Sequence, residues 1–460
     1  MLFTTLQFAV FLGVVLSLFY LLPKPARRYL LLGASLYFYM AWNPKFVVLI
    51  LGLITVDFFA ALWIIHKHGW HRKFAMLVSV AANIGMLGWF KYANFLRETW
   101  LNLLHPGAPV VPLDIILPLG ISFHTFQSIS YVIDVYRGEQ PAITSYIDYA
   151  LFVAFFPQLV AGPIVRAREF FLDYFNWTQP TAAEWRQGCS MILTGLVKKL
   201  VFADQFASAA DRYFANPQAM PGGIPAWTGT IAFGLQIFFD FSGYTDIAIG
   251  VALLFGFHFP ENFRRPYLSA SVTEFWRRWH MTLSGWLRDY IYIGLGGNKH
   301  GAARTYANLM ATMLLGGLWH GASWNFVIWG GYHGAVLAVE RVVWGRGVRK
   351  GLIRIPLVAV TFLVVNVGWV FFRAKTLAVS VFVVKSMFSG LDGAEVLTPV
   401  QLGLAVGALG IALAEEYGDM LTKLADSPVW LRTAAAVVAL FAIELFTASD
   451  QSLPFVYFQF

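Results

Sequence analysis

Residues 316–325 read Gly-Gly-Leu-Trp-His-Gly-Ala-Ser-Trp-Asn and place one histidine, His320, between two tryptophans inside a long apolar segment. An ionisable side chain is costly in such surroundings, and a histidine within a membrane usually marks a functional site. Enclosure by Trp319 and Trp324 favours the neutral imidazole, which is able to accept a proton. We therefore take His320 as the centre of a predicted site.

The composition indicates that this site lies in a membrane protein. Hydrophobic residues make up 58% of the chain, charged residues 13%, and the mean hydropathy is +0.62. Soluble domains carry about a quarter charged residues. The net charge is +8, but the basic residues form short clusters between apolar runs, which suits anionic lipid headgroups and not nucleic acid. The single cysteine, Cys189, excludes an intramolecular disulfide.

The apolar segments predict an all-α integral membrane fold. Residues 2–22, 29–41 and 46–65 are apolar, and a spanning helix needs about 20 such residues. Basic loops are predicted at 23–28 and 66–73, and the positive-inside rule puts both in the cytoplasm and the N-terminus in the periplasm. The histidines at 66–73 lack carboxylate or cysteine neighbours, so we expect no metal site. Further apolar segments lie at 75–93, 115–136, 146–163, 186–206, 226–257, 305–344, 353–372, 378–390, 400–422 and 430–448.

Together these segments predict ten to twelve transmembrane or re-entrant helices in one membrane domain over residues 1–460, with interfacial amphipathic helices. Residues 118–127 and 155–166 mix proline, glycine and amide side chains with apolar residues. Such backbone must be buried in protein or line a wet cavity. Helices broken around a central tunnel and ordinary proline kinks both satisfy that condition. We expect His124 to be a packed interior histidine.

Two polar groups interrupt the apolar pattern between residues 239 and 290. Asp240 and Asp246 lie in an aromatic segment and could be structural, or could orient a histidine or an arginine such as Arg278. Residues 274–290 predict one helix that begins at an N-cap on Ser271. Its polar side carries His280, so the helix either lies at the membrane interface or presents His280 to a cavity.

Six stretches of the chain carry a family resemblance: 118–123 (PLGISF), 157–164 (PQLVAGPI), 239–244 (FDFSGY), 275–280 (FWRRWH), 317–321 (GLWHG) and 455–460 (FVYFQF). With these motifs the chain resembles the membrane-bound O-acyltransferase family, and within it the branch that acetylates bacterial polysaccharides such as alginate. The resemblance runs over nearly the whole chain.

The resemblance implies a set of functional expectations. The histidine at 320 would be catalytic, and His280 would lie near the reaction tunnel. The protein would be a multi-pass protein of the bacterial inner membrane, with acetyl-CoA as donor and no permanently bound cofactor. Its partner would be a periplasmic SGNH-like acetyltransferase or the machinery that exports and modifies the polysaccharide.

The residues themselves suit this chemistry. A hydroxyl that attacks a thioester must lose a proton, and the neutral imidazole of His320 is a suitable general base. An oxyanion donor is also needed, and His280, Asn325 or a backbone N–H could supply it. His333 is expected to be packed, because it lies off the helix face of His320. The expected tunnel residues are Trp319, Asn325, Asp240, Arg278 and Asp289.

A function of a different class also fits the apolar pattern. A multi-pass transporter or channel could use His320 as a proton relay and the broken helices as a substrate site. No inverted repeat is apparent in the sequence. There is also no G-x-S-x-G or H-E-x-x-H motif, which argues against an intramembrane serine hydrolase or zinc protease.

Overall fold

A computed structural model describes residues 1–107, 109–344, 351–447 and 455–456, and these residues form helices, turns and irregular segments without a β-strand. The all-α prediction is confirmed for this part of the chain. The chain forms two compact units. The first comprises Met1–Cys189 and Ala248–Pro260, and the second Ser190–Ile247 and Glu261–Phe460.

Nine helices belong to the first unit alone: α1 (Leu6–Leu21), α2 (Lys24–Met40), α3 (Phe46–His66), α4 (Trp70–Leu87), α5 (Ala93–Leu104), α6 (Ile121–Arg137), α7 (Tyr146–Ala154), α8 (Phe156–Leu159) and α9 (Ala167–Phe175). Next in the chain are α10 (Ala182–Val197), α11 (Asp204–Ala215) and α12 (Gly223–Leu254). Helices α10 and α12 contribute residues to both units, whereas α11 lies in the second.

The second unit continues with α13 (Val272–Trp276), α14 (Met281–Trp286), α15 (Gly301–His320), α16 (Trp324–Trp344), α17 (Arg354–Arg373), α18 (Leu377–Met387), α19 (Pro399–Gly418), α20 (Met420–Ala425) and α21 (Val429–Phe446). Three π-helical turns also occur, at Gly88–Tyr92, Lys198–Ala203 and Leu287–Tyr292. Such turns insert one residue into a helix and are frequent at functional sites.

Six helical runs in the described ranges are long and apolar enough to cross a membrane: Phe46–His66, Trp70–Leu104, Gly223–Leu254, Arg354–Arg373, Pro399–Gly418 and Val429–Phe446. The protein is therefore an all-α integral membrane protein. Other predicted segments form shorter apolar helices, including α1 with 16 residues and α18 with 11 residues. The predicted count of ten to twelve transmembrane or re-entrant helices stays a prediction, because six runs of the described residues have the length and composition of a full span.

Several predicted boundaries differ from the structure. The stretch 23–28 was expected to be a loop, but α2 already begins at Lys24, because Pro25 occupies its first turn, where a proline needs no hydrogen-bond donor. The segment 305–344 forms two helices, since α15 ends at His320. The single helix expected at 274–290 is wrong: α13 ends at Trp276 and α14 begins at Met281. The N-cap on Ser271 is confirmed, because its hydroxyl accepts the Glu274 N–H at 3.0 Å.

The broken backbone at 118–127 and 155–166 is packed inside the first unit. Gly120 adopts φ +68°, and a Cβ added there would lie 2.2 Å from the carbonyl oxygen of Leu159, so only glycine fits. The Phe156 N–H donates to the Ser35 hydroxyl at 3.1 Å, which satisfies one group freed by the break between α7 and α8. The expectation that such backbone is buried in protein holds for both stretches.

Candidate active site

His320 is the last residue of α15, in the second unit, and the chain turns sharply after it. Gly321 permits this turn, because a Cβ there would lie 2.0 Å from the ring of Phe326. A Cβ on Gly317 would lie 2.2 Å from the Phe326 carbonyl oxygen, and one on Gly330 would lie 2.3 Å from that of Met313. Glycines therefore allow the backbones of α15 and α16 to pack closely, and this packing holds His320 in place.

Aromatic rings enclose the His320 imidazole, which is 4% exposed. Its ring centroid lies 4.9 Å from Trp319, 5.0 Å from Trp329 and 5.1 Å from Phe372. The enclosing tryptophans are thus Trp319 and Trp329, whereas the sequence suggested Trp324. The side chain of Trp324 is 53% exposed. An environment of aromatic rings disfavours a charged imidazolium and keeps the ring neutral.

His280 lies at the break between α13 and α14 and is fully buried. Its backbone adopts the left-handed conformation, with φ +42°, which is uncommon for a residue with a side chain and recurs at functional sites. The ring lies 4.7 Å from Phe241 and 5.8 Å from Trp319, measured between centroids. The indole of Trp319 therefore contacts both imidazoles, that of His280 and that of His320.

Hydrogen bonds determine which nitrogen of His280 carries the proton. Asn262 Oδ1 accepts from the Thr282 backbone N–H at 3.3 Å and from the Thr282 hydroxyl at 2.9 Å, which identifies it as the carbonyl oxygen. His280 Nδ1 lies 3.1 Å from the same oxygen and must donate to it. Nε2 of the neutral ring then carries the lone pair, and this buried atom has no hydrogen-bond partner within the described ranges. It can accept a proton but cannot donate one.

The expected tunnel residues lie in different surroundings. Asn325 is buried and its Nδ2 donates to the Ala374 carbonyl oxygen at 2.7 Å, which ties the start of α16 to the end of α17. Asp289 lies in a π-helical turn, 2.7 Å from the guanidinium of Arg288. Of the five residues, only Trp319 contacts both histidine rings.

Asp240 pairs with a lysine that the sequence analysis did not consider. Lys199 lies 2.8 Å from Asp240 and also 2.8 Å from Asp204. The second carboxylate oxygen of Asp240 accepts the backbone N–H of Val456, and the neighbouring Phe455 packs on Tyr244 at 4.8 Å. Asp240 thus holds α12, the preceding π-helical turn and the C-terminal segment together, as expected for a structural carboxylate.

Arg278 belongs to a network of ion pairs. Its guanidinium bonds Glu416 through two nitrogens, at 3.0 and 2.9 Å, and lies 2.8 Å from Glu274. Arg265 pairs with Glu416 at 2.7 Å, and Arg354 pairs with Glu274 at 2.8 Å. Bidentate arginine–carboxylate pairs fix geometry strongly, so this network anchors α13 to α19.

The other buried histidines are packed, as the sequence predicted. His333 is fully buried, with its ring 4.9 Å from Trp329 and 5.3 Å from Trp276. His124 is buried in α6 of the first unit. No group of three or more histidine, cysteine, aspartate or glutamate side chains in the described parts of the chain is arranged to hold a metal ion.

Sequence reasoning missed three contributors to the site: Asn262, Trp329 and Phe372. No periodicity or motif links these positions to the two histidines, because the contacts arise from helix packing. Lys199 left a visible signal, since it is a basic residue inside the apolar segment 186–206 and such residues usually have a partner.

Comparisons with known proteins identify the family of the chain. A family model described as the membrane-bound O-acyltransferase family matches residues 139–384, which include both His280 and His320. The chain is 42% identical to the probable alginate O-acetylase AlgI of Pseudomonas putida, over 98% of each chain. It is 45% identical to the same protein of Pseudomonas aeruginosa, over 88% of this chain and 78% of that one. It is 38% identical to a peptidoglycan O-acetyltransferase of Helicobacter pylori, over 78% of this chain and 73% of that one.

Proposed function

The chain belongs to the membrane-bound O-acyltransferase family, and on that premise we propose that it moves acetyl groups from cytoplasmic acetyl-CoA across the inner membrane. The acetyl groups modify hydroxyls of an exported polysaccharide of the alginate type. The named relatives support O-acetyl transfer to a polysaccharide, since two are named probable alginate O-acetylase and one is named peptidoglycan O-acetyltransferase. The enzyme class makes the transporter alternative unnecessary.

The observation that carries the proposal is the pair of buried imidazoles that both contact Trp319. His320 acts as the general base. The acceptor oxygen bonds to the thioester carbonyl carbon, His320 takes the hydroxyl proton, the C–S bond breaks, and the departing thiolate takes up a proton. Neutral imidazole suits this role because its reference pKa lies near physiological pH.

The tautomer of His280 divides the roles within the site. His280 donates its Nδ1 proton to Asn262, so Nε2 carries the lone pair. His280 therefore serves as a hydrogen-bond acceptor and not as an oxyanion donor. The oxyanion donor is then a backbone N–H or the side-chain amide of Asn325. One N–H of that amide donates to the Ala374 carbonyl oxygen, and the other is the candidate donor. A role of Asp240, Arg278 and Asp289 in lining a tunnel stays a prediction.

Delivery of the acetyl group involves a partner. A periplasmic SGNH-like acetyltransferase, or the polysaccharide export and modification machinery, receives the acetyl group and completes the transfer. Direct transfer to the polymer is the competing route. Membranes that contain the chain but lack the periplasmic fraction distinguish these routes, because only direct transfer labels polymer in that preparation.

The orientation follows from the basic clusters, which place residues 23–28 and 66–73 in the cytoplasm and the N-terminus in the periplasm. A periplasm-dependent reporter fused to the N-terminus is expected to be active. An active cytoplasm-dependent reporter at that position would reverse the assignment.

Inside-out membrane vesicles with radiolabelled acetyl-CoA test the function itself. We expect label on the polymer with the unaltered protein and at least about a 10²-fold loss with His320→Ala, because general base catalysis contributes on that order. His71→Ala, at an exposed position, serves as the matched control and is expected to retain activity. Unchanged labelling by His320→Ala at equal protein abundance would contradict the proposal, and mass spectrometry of the polymer identifies the acceptor.

A further inference from the structure

A carboxylate lies in the middle of an apolar span of the first unit, far along the chain from the two histidines. Asp57 is fully buried in α3, a helix of 21 residues without another acidic side chain. Within the described residues, no lysine, arginine or histidine forms an ion pair with it. Carboxylates at such a depth almost always pair with a compensating group or line a functional pathway.

Two side chains of α4 bond one oxygen of this carboxylate. The Ser79 hydroxyl donates to Asp57 Oδ1 at 2.6 Å, and Asn83 Nδ2 donates to the same atom at 2.8 Å. Asn83 Nδ2 also donates to the Ser79 carbonyl oxygen at 3.1 Å, so the assignment of the amide nitrogen rests on two acceptors. Two acceptors, Asp57 Oδ2 and Asn83 Oδ1, then have no donor among the described residues.

Helices α6 and α7 add two hydroxyl oxygens to this group. Ser128 lies beside both Asp57 and Tyr149, and all three side chains are fully buried. The Ser128 Oγ and the Tyr149 hydroxyl make no hydrogen bond of standard length and angle in the part of the chain that the structure describes. Three buried oxygens from three helices, Asn83 Oδ1, Ser128 Oγ and the Tyr149 hydroxyl, therefore lie around the Asp57 carboxylate.

Lys91 is a half-buried lysine whose amine contacts a different part of α6. Lys91 Nζ lies 3.3 Å from the hydroxyl of Ser122. Ser122 precedes Ser128 by six residues on α6, which is about 9 Å along a helix with a rise of about 1.5 Å per residue. A positive charge at that distance leaves the carboxylate without a contacting partner.

We propose that Asp57, Asn83, Ser128 and Tyr149 form a binding site for a small monovalent cation of the sodium class. Hard cations take oxygen ligands, and one carboxylate matches one positive charge. A proton on Oδ2 would satisfy only one of the other oxygens, whereas a metal cation contacts all of them at once. The site lies entirely in the first unit and is independent of the proposed acetyl transfer.

Binding of radioactive sodium to the purified full-length protein in detergent tests the site without any substitution. We expect saturable binding close to one ion per chain, displaced by unlabelled sodium and not by choline. Thermal unfolding is measured in parallel at constant ionic strength. Saturating sodium in place of choline is expected to raise the Tm by roughly 2–4 °C, because a ligand that binds only the folded state stabilises it.

Asp57→Asn keeps the shape and removes the charge, and it is expected to abolish both sodium binding and the Tm shift. Asp246→Asn is the matched control, because this half-buried carboxylate already pairs with Lys198 at 2.6 Å and its loss is expected to leave sodium binding intact. If Asp57→Asn does not fold, Ser128→Ala is expected to weaken sodium binding at least about tenfold. Absence of sodium binding to the unaltered protein, with Asp57 protonated by infrared spectroscopy, would overturn the proposal.

Discussion

The enclosed histidines of the second unit and His258 of the first unit show how differently a fold can treat the same side chain. The His320 imidazole lies among the rings of Trp319, Trp329 and Phe372. His258 is 55% exposed and lies 3.3 Å from Asp173 and 3.0 Å from Glu184. Apolar enclosure favours the neutral imidazole, which can accept a proton. Neighbouring carboxylates instead favour the protonated imidazolium.

The pKa values outside the membrane follow this contrast. Partial burial alone would lower the pKa of His258, but the bonds to Glu184 and Asp173 outweigh it and raise the pKa above its usual value. Bonds from the Thr181 backbone and hydroxyl, followed by the His258 contact, lower the pKa of Glu184 to about 2. Asp173 and Glu184 thus form a carboxylate clamp around His258. This clamp is a pH-dependent structural contact and not a catalytic arrangement.

The largest expected effect comes from comparing two enclosed histidines that contact the same indole. His320 and His333 lie 5.0 and 4.9 Å from Trp329, but only His320 also packs on Trp319 beside His280. His320→Gln is expected to lower acetyl transfer by at least about 10²-fold, because glutamine cannot act as a base. His333→Gln is expected to stay within about threefold, measured per folded protein in the vesicle assay. Equal losses in both variants would show that enclosure, not base chemistry, matters.

The next effect sharpens the assignment of the His280 tautomer. Asn262→Leu removes the acceptor of the Nδ1 proton and is expected to lower activity by about 10- to 100-fold, as is usual when the group that orients a functional histidine is lost. Asn262→Asp keeps the acceptor and is expected to recover much of that loss. A structural role alone would leave the pH–rate profile unchanged in shape, so a profile identical to that of the unaltered protein would contradict the tautomer argument.

Arg278 tests whether an ion-paired group near the site can also be functional. Arg278→Lys removes the bidentate bond to Glu416 and is expected to destabilise the protein by about 1–2 kcal/mol while leaving activity per folded molecule unchanged. Arg264→Lys is the control, since Arg264 is exposed and pairs with exposed Glu261. A loss of activity without a change in Tm would instead support contact between Arg278 and the tunnel.

The smallest expected effect concerns the carboxylate clamp. Because the folded pKa of His258 is raised, its contribution to stability is complete below about pH 6.5 and is lost as the pH rises through the folded pKa. His258→Gln is expected to lower stability by less than about 1 kcal/mol below pH 6.5 and to change little at higher pH. Thermal unfolding as a function of pH measures the difference in stability between the variant and the unaltered protein. A difference that grows with rising pH would contradict the prediction.

The same contrast separates what could be predicted from what could not. The helix at Phe46–His66 was predicted to within one residue, because a long apolar run has few alternatives in a membrane. The break at His280 was not predicted. Helical spacing continues through residues 274–290, and nothing local marks the left-handed residue that re-aims the imidazole.

The sequence by itself determined the membrane setting and the all-α fold and singled out His320 as the candidate base, since composition and the cost of burying an ionisable group are local properties. It also determined the family, through motifs spread over the whole chain. Only the tertiary structure decided which rings enclose His320, which amide orients His280 and which lysine pairs with Asp240. The contacts of His280 with Asn262, of Asp240 with Lys199 and of His320 with Phe372 join residues from 18 to more than 50 positions apart in sequence, and only helix packing brings such residues together.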